Sequence, residues 1–256
     1  MTRRGPVVAA SSLPRRLLAE FCGTALLVTV VVGSGIAAAQ LSPSDVGLQL
    51  LENSTATAFG LAVLIHLFGP ASGAHFNPVV SLADWMLGRR AASGIGGTAL
   101  LAYCVAQVVG GVAGAMLANL MFDRRVIEIA SKHRTTTGHL IGEVVATAGL
   151  IALIFALART KRTGLSAAAV GAYIGAAYWF TSSTSFANPA ITIGRMFSDT
   201  FAGIAPTSVP PFIAAQIVGG IAGLALAVTL YPVVAQTADE AVIPHNIAHA
   251  HPEPTE

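Results

Sequence analysis

Apolar residues fall into six blocks, each close to the roughly 20 helical residues that a bilayer crossing requires. The blocks cover about 17–39, 50–69, 94–121, 139–158, 165–183 and 209–232. Between the second and third, and between the fifth and sixth, lie two shorter apolar runs. Each opens on an Asn-Pro pair, in Ala74-His75-Phe76-Asn77-Pro78-Val79-Val80 and in Ser185-Phe186-Ala187-Asn188-Pro189-Ala190-Ile191. Asn is a preferred N-cap, and Pro at the first helical position gives up an N–H that would be unpaired anyway. The pattern therefore predicts two short helices, running to about Leu87 and Asp199. Too short to span, they fit re-entrant half-helices, whose irregular backbone survives at membrane depth only beside protein or a water-filled cavity.

The two halves of the chain repeat one plan. Ala106-Gln107-Val108-Val109-Gly110-Gly111-Val112-Ala113-Gly114 aligns with Ala215-Gln216-Ile217-Val218-Gly219-Gly220-Ile221-Ala222-Gly223, with seven of nine positions identical. Glu20 near the start of the first block matches Glu143 near the start of the fourth. Each half is three spans plus a half-helix. Three is odd, so the second copy enters from the opposite face, which makes an inverted repeat.

Composition narrows the class. The chain is 54% hydrophobic and 10% charged, against about 25% charged in soluble domains, so it reads as a polytopic membrane protein surrounded by lipid. A net charge of +2 without a basic stripe excludes nucleic acid as a partner. Cys22 and Cys104 sit inside apolar blocks and read as small buried hydrophobes rather than a disulfide or metal ligands. The 26 glycines suit close helix packing in lipid. Arg3, Arg4, Arg15 and Arg16 precede a block ending in Ala37-Ala38-Ala39, which imitates an export signal. That block far exceeds a signal core of about 7–15 residues and has a counterpart in the second half, so it reads as a retained span.

Basic residues set the orientation. With both termini in the cytoplasm, nine of the fourteen Lys and Arg residues fall inside: Arg3, Arg4, Arg15, Arg16, Arg89, Arg90, Arg159, Lys161 and Arg162. Arg124, Arg125, Lys132 and Arg134 of the central loop run against that bias. Residues 1–16 are expected to be a cytoplasmic N-terminal segment and 233–256 a disordered tail. His245, His249 and His251 in that tail read as solvated rather than as a metal site, and no metal or cofactor is expected elsewhere. Asn53-Ser54-Thr55 forms a glycosylation sequon.

Ser72-Gly73-Ala74-His75-Phe76-Asn77-Pro78-Val79, Ala187-Asn188-Pro189-Ala190, the two Ala-Gln-x-Val-Gly-Gly stretches and the pair Glu20 and Glu143 together resemble the aquaporin, or major intrinsic protein, family. The resemblance covers about 17–232. It implies an all-α membrane protein of six transmembrane helices plus two re-entrant half-helices in an inverted repeat, with repeats at about 17–121 and 139–232. It also implies a homotetramer in which each protomer passes small neutral solutes through its own pore. Beside that resemblance stands a physical expectation. Two half-helix N-termini meeting at the midplane carry about half a positive charge each and repel cations, hydronium included. Asn77 and Asn188 read either as lumen-facing donors or as N-caps alone. Glu20 and Glu143, with His75, read as support for the irregular loops, whose N–H groups need acceptors; a proton relay is the sharper alternative for the two carboxylates.

The chain departs from the family pattern at one informative place. Water-selective members carry Arg three positions after the second Asn; here Ile191 stands there, and Val79 replaces Ala in the first motif. Ile191 removes a permanent cation and five donors from the constriction. Ungapped counting places the other constriction positions at Thr57, Ala176 and Ser185, with Phe59 in place of Thr57 if span two is shifted by two. Arg195, one turn beyond Ile191, is a candidate for the outer vestibule or an ion pair with Asp199, and Asp84 holds the same place after Asn77. The leading function is a passive channel for uncharged solutes: water with glycerol, urea or neutral hydroxides such as arsenite. The arginine-free motif resembles that of bacterial channels associated with arsenic. A water channel with a loose filter is the alternative, and an ion-coupled carrier, an adhesion protein and an enzyme stand behind it. The expected location is a bacterial inner membrane.

Overall fold

A computed structural model describes residues 11–91 and 94–232. Among them run eight α-helices: α1 Leu13–Leu41, α2 Val46–Ser72, α3 Pro78–Ala91, α4 Gly97–Met121, α5 Thr137–Arg159, α6 Ser166–Phe180, α7 Pro189–Arg195 and α8 Val209–Leu230. The expected tail with its three His residues, and most of the N-terminal segment, lie outside the described residues. Local chemistry sets several ends. Asp45 accepts from Leu48 N at the start of α2, and Thr136 accepts from His139 N at the start of α5. Gly73, at φ 89°, closes α2 in the left-handed region.

Five of these helices, α1, α2, α4, α5 and α8, are long and apolar enough to cross a membrane. The fifth block was expected to be helical over 165–183; α6 is shorter, with 15 residues, preceded by a 3-10 turn at Thr163–Leu165. It stops because Thr181 turns extended and its hydroxyl bonds back to the Ala177 carbonyl at 2.7 Å. Ser183 and Thr181 then accept the Ser185 N–H, which commits the chain to the loop before α7. The second half-helix also ends early, at Arg195 rather than near Asp199, while the first runs past Leu87 to Ala91.

The inverted repeat is visible in the packing. α1 lies against α4 as α5 lies against α8, and α2 meets α6 across the junction of the halves. A Cβ added at Gly114 would stand 2.1 Å from the Ala25 carbonyl oxygen, and one at Gly223 would stand 2.2 Å from that of Ala148. Gly110 and Gly219 repeat the arrangement against Phe21 and Val144, at 2.4 and 2.5 Å. Helix backbones thus touch directly, the kind of approach that small residues allow in lipid. The half-helices dock on the same glycine pairs. Gly220 leaves room for the Val79 side chain and Gly111 for the Ala190 carbonyl, which is how the chain accommodates Val79 in its first motif.

The surface is apolar and the centre holds polar groups. Leu18, Phe59, Leu101 and Ile141 are more than half exposed, while Glu20, Gln107, Glu143 and Gln216 are fully buried. The central segment, 122–136, is pinned over the chain that follows α7. Glu128 N and Ala130 N donate to the Phe197 and Met196 carbonyls, and Ala205 N donates to that of Lys132. Arg134, one of the residues that ran against the charge bias, is buried there and gives its guanidinium to the carbonyls of Gly203, Ser183 and Phe201.

Gly223→Ala should force α5 and α8 apart and lower stability by about 1–3 kcal/mol, the usual range for overpacking. Gly164→Ala, which adds a Cβ where nothing lies within 4 Å, should stay within about 0.5 kcal/mol of the parent. Thermal unfolding in detergent compares the two; equal midpoints would contradict direct backbone contact.

Candidate functional site

The two Asn-Pro loops share one unusual backbone. Ala74 and Phe76 in the first, and Ser185 and Ala187 in the second, have φ between 46° and 50° although none is glycine. Each left-handed non-glycine residue costs about 1–2 kcal/mol, so something must hold these turns open. Glu20 accepts the His75 and Phe76 N–H groups at 3.0 and 2.7 Å. Glu143 accepts those of Phe186 and Ala187, both at 2.8 Å. Gln107 and Gln216 donate to the two carboxylates at 2.8 and 2.7 Å and reach Ser81 and Thr192 on the half-helices. Ser72 adds a further bond to Glu20 at 2.6 Å. Both carboxylates are thus engaged with backbone donors.

This folding of the loops brings Asn77 and Asn188 together. Asn77 Oδ1 accepts from Val79 N at 2.9 Å, and Asn188 Oδ1 accepts from Ala190 N and Ile191 N at 2.9 and 3.3 Å. Each is therefore an N-cap. Their Nδ2 groups cross over: Asn77 donates to the Ala187 carbonyl at 2.8 Å, and Asn188 donates to that of Phe76 at 2.7 Å. An amide nitrogen carries two hydrogens. One is fixed by the opposite loop, and both residues line a cavity.

That cavity measures about 50 Å³, enough for a few waters. Its walls are aliphatic, from Leu27, Val31, Leu61, Leu150, Ile174 and neighbours. Polar groups are few. Thr57, Ser185 and Ile191 line it, and Phe59, the shifted alternative to Thr57, faces outward and is 70% exposed. Ala176 is absent from the lining and exposed on the outer face; Tyr178, two residues on, stands in the cavity with its hydroxyl 3.2 Å from Thr57 Oγ1. Two residues turn a helix by about 200°, so a count short by two picks the opposite face. The clue available in the sequence was the phenol itself, a polar tip in a run of small residues that must find a partner when buried. Ser185 Oγ has no hydrogen-bond partner among the described residues.

His75 lines the cavity, with Nδ1 3.1 Å from Ser81 Oγ and its ring edge-on to Tyr103. Pro78, Val79, Pro189 and Ala190 line no part of it; they face α4 and α8. Arg195 is buried and lines the cavity. It does not pair with Asp199, whose carboxylate accepts from Ser131 N and Oγ instead. Phe186, which sequence reasoning left without a role, lies beneath Arg195 and contacts Phe212 edge-on at 5.2 Å. Among the described residues no group of three or more His, Cys, Asp or Glu is placed to hold a metal ion.

The Asn188→Asp substitution removes the crossing donor and sets a carboxylate against the Phe76 carbonyl. We expect a loss of about 1–3 kcal/mol in stability and strongly reduced solute flux in proteoliposomes, with Asn77→Asp behaving alike. Normal flux and normal unfolding in both variants would show that the crossed bonds are dispensable.

Residues 8–186 match the family model described as major intrinsic protein. The chain is 45% identical over 232 residues to aquaglyceroporin AqpS of Rhizobium meliloti, covering 89% of this chain and 97% of that one. It is 35% identical over 127 residues to the glycerol uptake facilitator protein of Pseudomonas aeruginosa, covering 50% of this chain and 43% of the relative. Among solved structures, the aquaglyceroporin from Plasmodium falciparum superposes with a TM-score of 0.60 at 17% identity, over 87% of this chain and 99% of that chain.

Proposed function

The chain belongs to the major intrinsic protein family, and from that premise we propose that it is a passive channel for small uncharged solutes. The class comprises water with glycerol-sized polyols or metalloid hydroxides such as arsenite, with ions and protons excluded. The observation that carries this reading is the lining of the cavity. Aliphatic walls offer nothing to an ion and the Arg195 guanidinium on the lining repels cations, while Asn77, Asn188, Ser185 and the Thr57–Tyr178 pair offer neutral hydrogen bonds to an oxygen in transit. A solute that sheds water in the lumen regains part of its hydrogen bonding from these groups.

The constriction in this reading consists of Thr57, Ser185 and Ile191, with Tyr178 in the place first given to Ala176. An aliphatic Ile191 leaves space that a guanidinium at that position would fill, which favours solutes larger than water. The names of the relatives, an aquaglyceroporin and a glycerol facilitator, support the same size class. A coupled carrier is disfavoured because Glu20 and Glu143 are committed to loop N–H groups and Gln side chains. A channel mainly for water is the second reading, favoured by the small volume of the cavity. The protein is proposed to work as a homotetramer in a bacterial inner membrane with both termini cytoplasmic. Residues 17–232 form the channel domain, and 1–16 and 233–256 are its flanking segments.

Two measurements test the proposal. Flux through the reconstituted protein should be bidirectional and indifferent to membrane potential, since a neutral solute carries no charge; accumulation against a gradient, driven by protons or sodium, would rule a channel out. Ile191→Arg should raise the water-to-glycerol and water-to-arsenite permeability ratios, because the longer side chain obstructs bulky solutes first. Ile191→Val should leave both ratios close to those of the parent. Unchanged ratios in Ile191→Arg would remove Ile191 from the constriction.

A further inference from the structure

A neutral-solute channel has an evident use for the crossed Asn pair and the aliphatic walls, but not for a buried arginine. Arg195 is 2% exposed and lines the cavity together with Ile191, one helical turn before it on α7. Its Nε donates to the Ala202 carbonyl, and its Cζ lies 3.4 Å above the centroid of Phe186. Among the described residues its two terminal nitrogens make no hydrogen bond and no carboxylate pairs with it. Arg134, 5.2 Å from the same ring, differs in that its guanidinium nitrogens all donate to loop carbonyls.

The repeat supplies an internal comparison. Asp84 occupies the equivalent place after Asn77, and it accepts from Ile95 N in the chain that follows α3. Arg195 likewise ties down the chain that follows α7, through Ala202. Tying a loop is therefore a task that this position performs in both halves and that does not require a cation. Only Arg195 of the two also lines the cavity. A guanidinium suits that surplus role, since it stays charged, is weakly hydrated and stacks flat on an aromatic ring.

We propose that Arg195 is the cation barrier of the outer mouth and a determinant of which neutral solutes enter, supplying from one turn further along α7 the charge that Ile191 lacks. The inference rests on the channel reading above and adds a specificity-determining residue to it. Phe186 serves as its shelf: the ring is buried, and its own N–H is fixed by Glu143. The terminal nitrogens are then presented to the lumen as a fixed positive edge. A monovalent cation at about 4 Å from that edge is disfavoured by about a thousandfold at the effective dielectric of a protein surface. A neutral hydroxyl oxygen is not repelled there and can accept a hydrogen bond from the fork.

The test uses Arg195→Cys in a full-length chain with Cys22→Ser and Cys104→Ser, reconstituted in proteoliposomes. Potassium leak and the glycerol-to-water permeability ratio are read before and after treatment with a cationic aminoethyl or a neutral methyl methanethiosulfonate. Before treatment the leak should exceed that of the Cys-free parent by about tenfold or more, the midplane remaining as a second obstacle. The cationic reagent should restore tightness and the neutral one should not. A tight Arg195→Cys protein, or equal effects of the two reagents, would overturn the inference. Should that variant fail to assemble, Arg195→Lys decides: it keeps the charge but loses the fork, so it should hold potassium out while shifting the glycerol-to-water ratio by about threefold or more. An unchanged ratio, or a potassium leak, would overturn the inference. A parent protein that passes no neutral solute would instead overturn the channel reading itself.

Discussion

Each half of the pore depends on a carboxylate buried against backbone N–H groups that no helix can use. The loops before α3 and α7 hold non-glycine residues in the left-handed region, and their amides turn inward as a result. Without Glu20 and Glu143 those amides would be buried donors lacking acceptors, each costing about 1–3 kcal/mol. With them, the loop carbonyls of Phe76 and Ala187 are aimed where the opposite Asn can reach them. The Asn pair, the direction of both half-helices and the course of the lumen all follow from that arrangement. A buried carboxyl group is usually a liability, and here the irregular backbone is what makes it useful.

Much of this was legible in the residues because it is written twice. The Asn-Pro pairs, the Glu pair and the Ala-Gln-x-Val-Gly-Gly stretches each recur, and the structure gives each copy the same partners: Gln107 and Gln216 on the carboxylates, Gly114 and Gly223 on the facing helix. What lay beyond reading occurs once. Ala176 was chosen by counting back from Asn188, and such a count assumes a steady rise along the chain. The early end of α6 at Phe180, which leaves a longer connection before α7 than the one between Ser72 and Pro78, breaks that assumption, and on a helix two residues suffice to reverse the face. On α2 the same counting placed Thr57 in the cavity, because α2 continues to Ser72 and only one short loop intervenes.

The halves also differ in ways that matter. His75 in the first loop corresponds to Phe186 in the second, and Asp84 corresponds to Arg195. One end of the cavity therefore carries an imidazole beside Ser81, and the other an aromatic shelf beneath a guanidinium. The scaffold is a near-symmetric frame, and the chemistry of its two ends has diverged at positions two before and seven after each Asn. Central-loop residues contribute to one end alone, through Arg134 and its carbonyl contacts.

The crossed amides also fix an order of events during synthesis. α1 packs against both α2 and α4 within the first 121 residues, so the first half can pack its helices as soon as it leaves the ribosome. Asn77, however, has its carbonyl partner 110 residues downstream, and the Phe76 carbonyl waits for the amide 112 residues downstream. Until residues 187 and 188 have emerged and entered from the other face, the nascent chain holds a half-built polar centre inside the bilayer. The middle of the pore is thus the last part to mature, and a chain arrested midway presents the membrane with groups that only its own second half can satisfy.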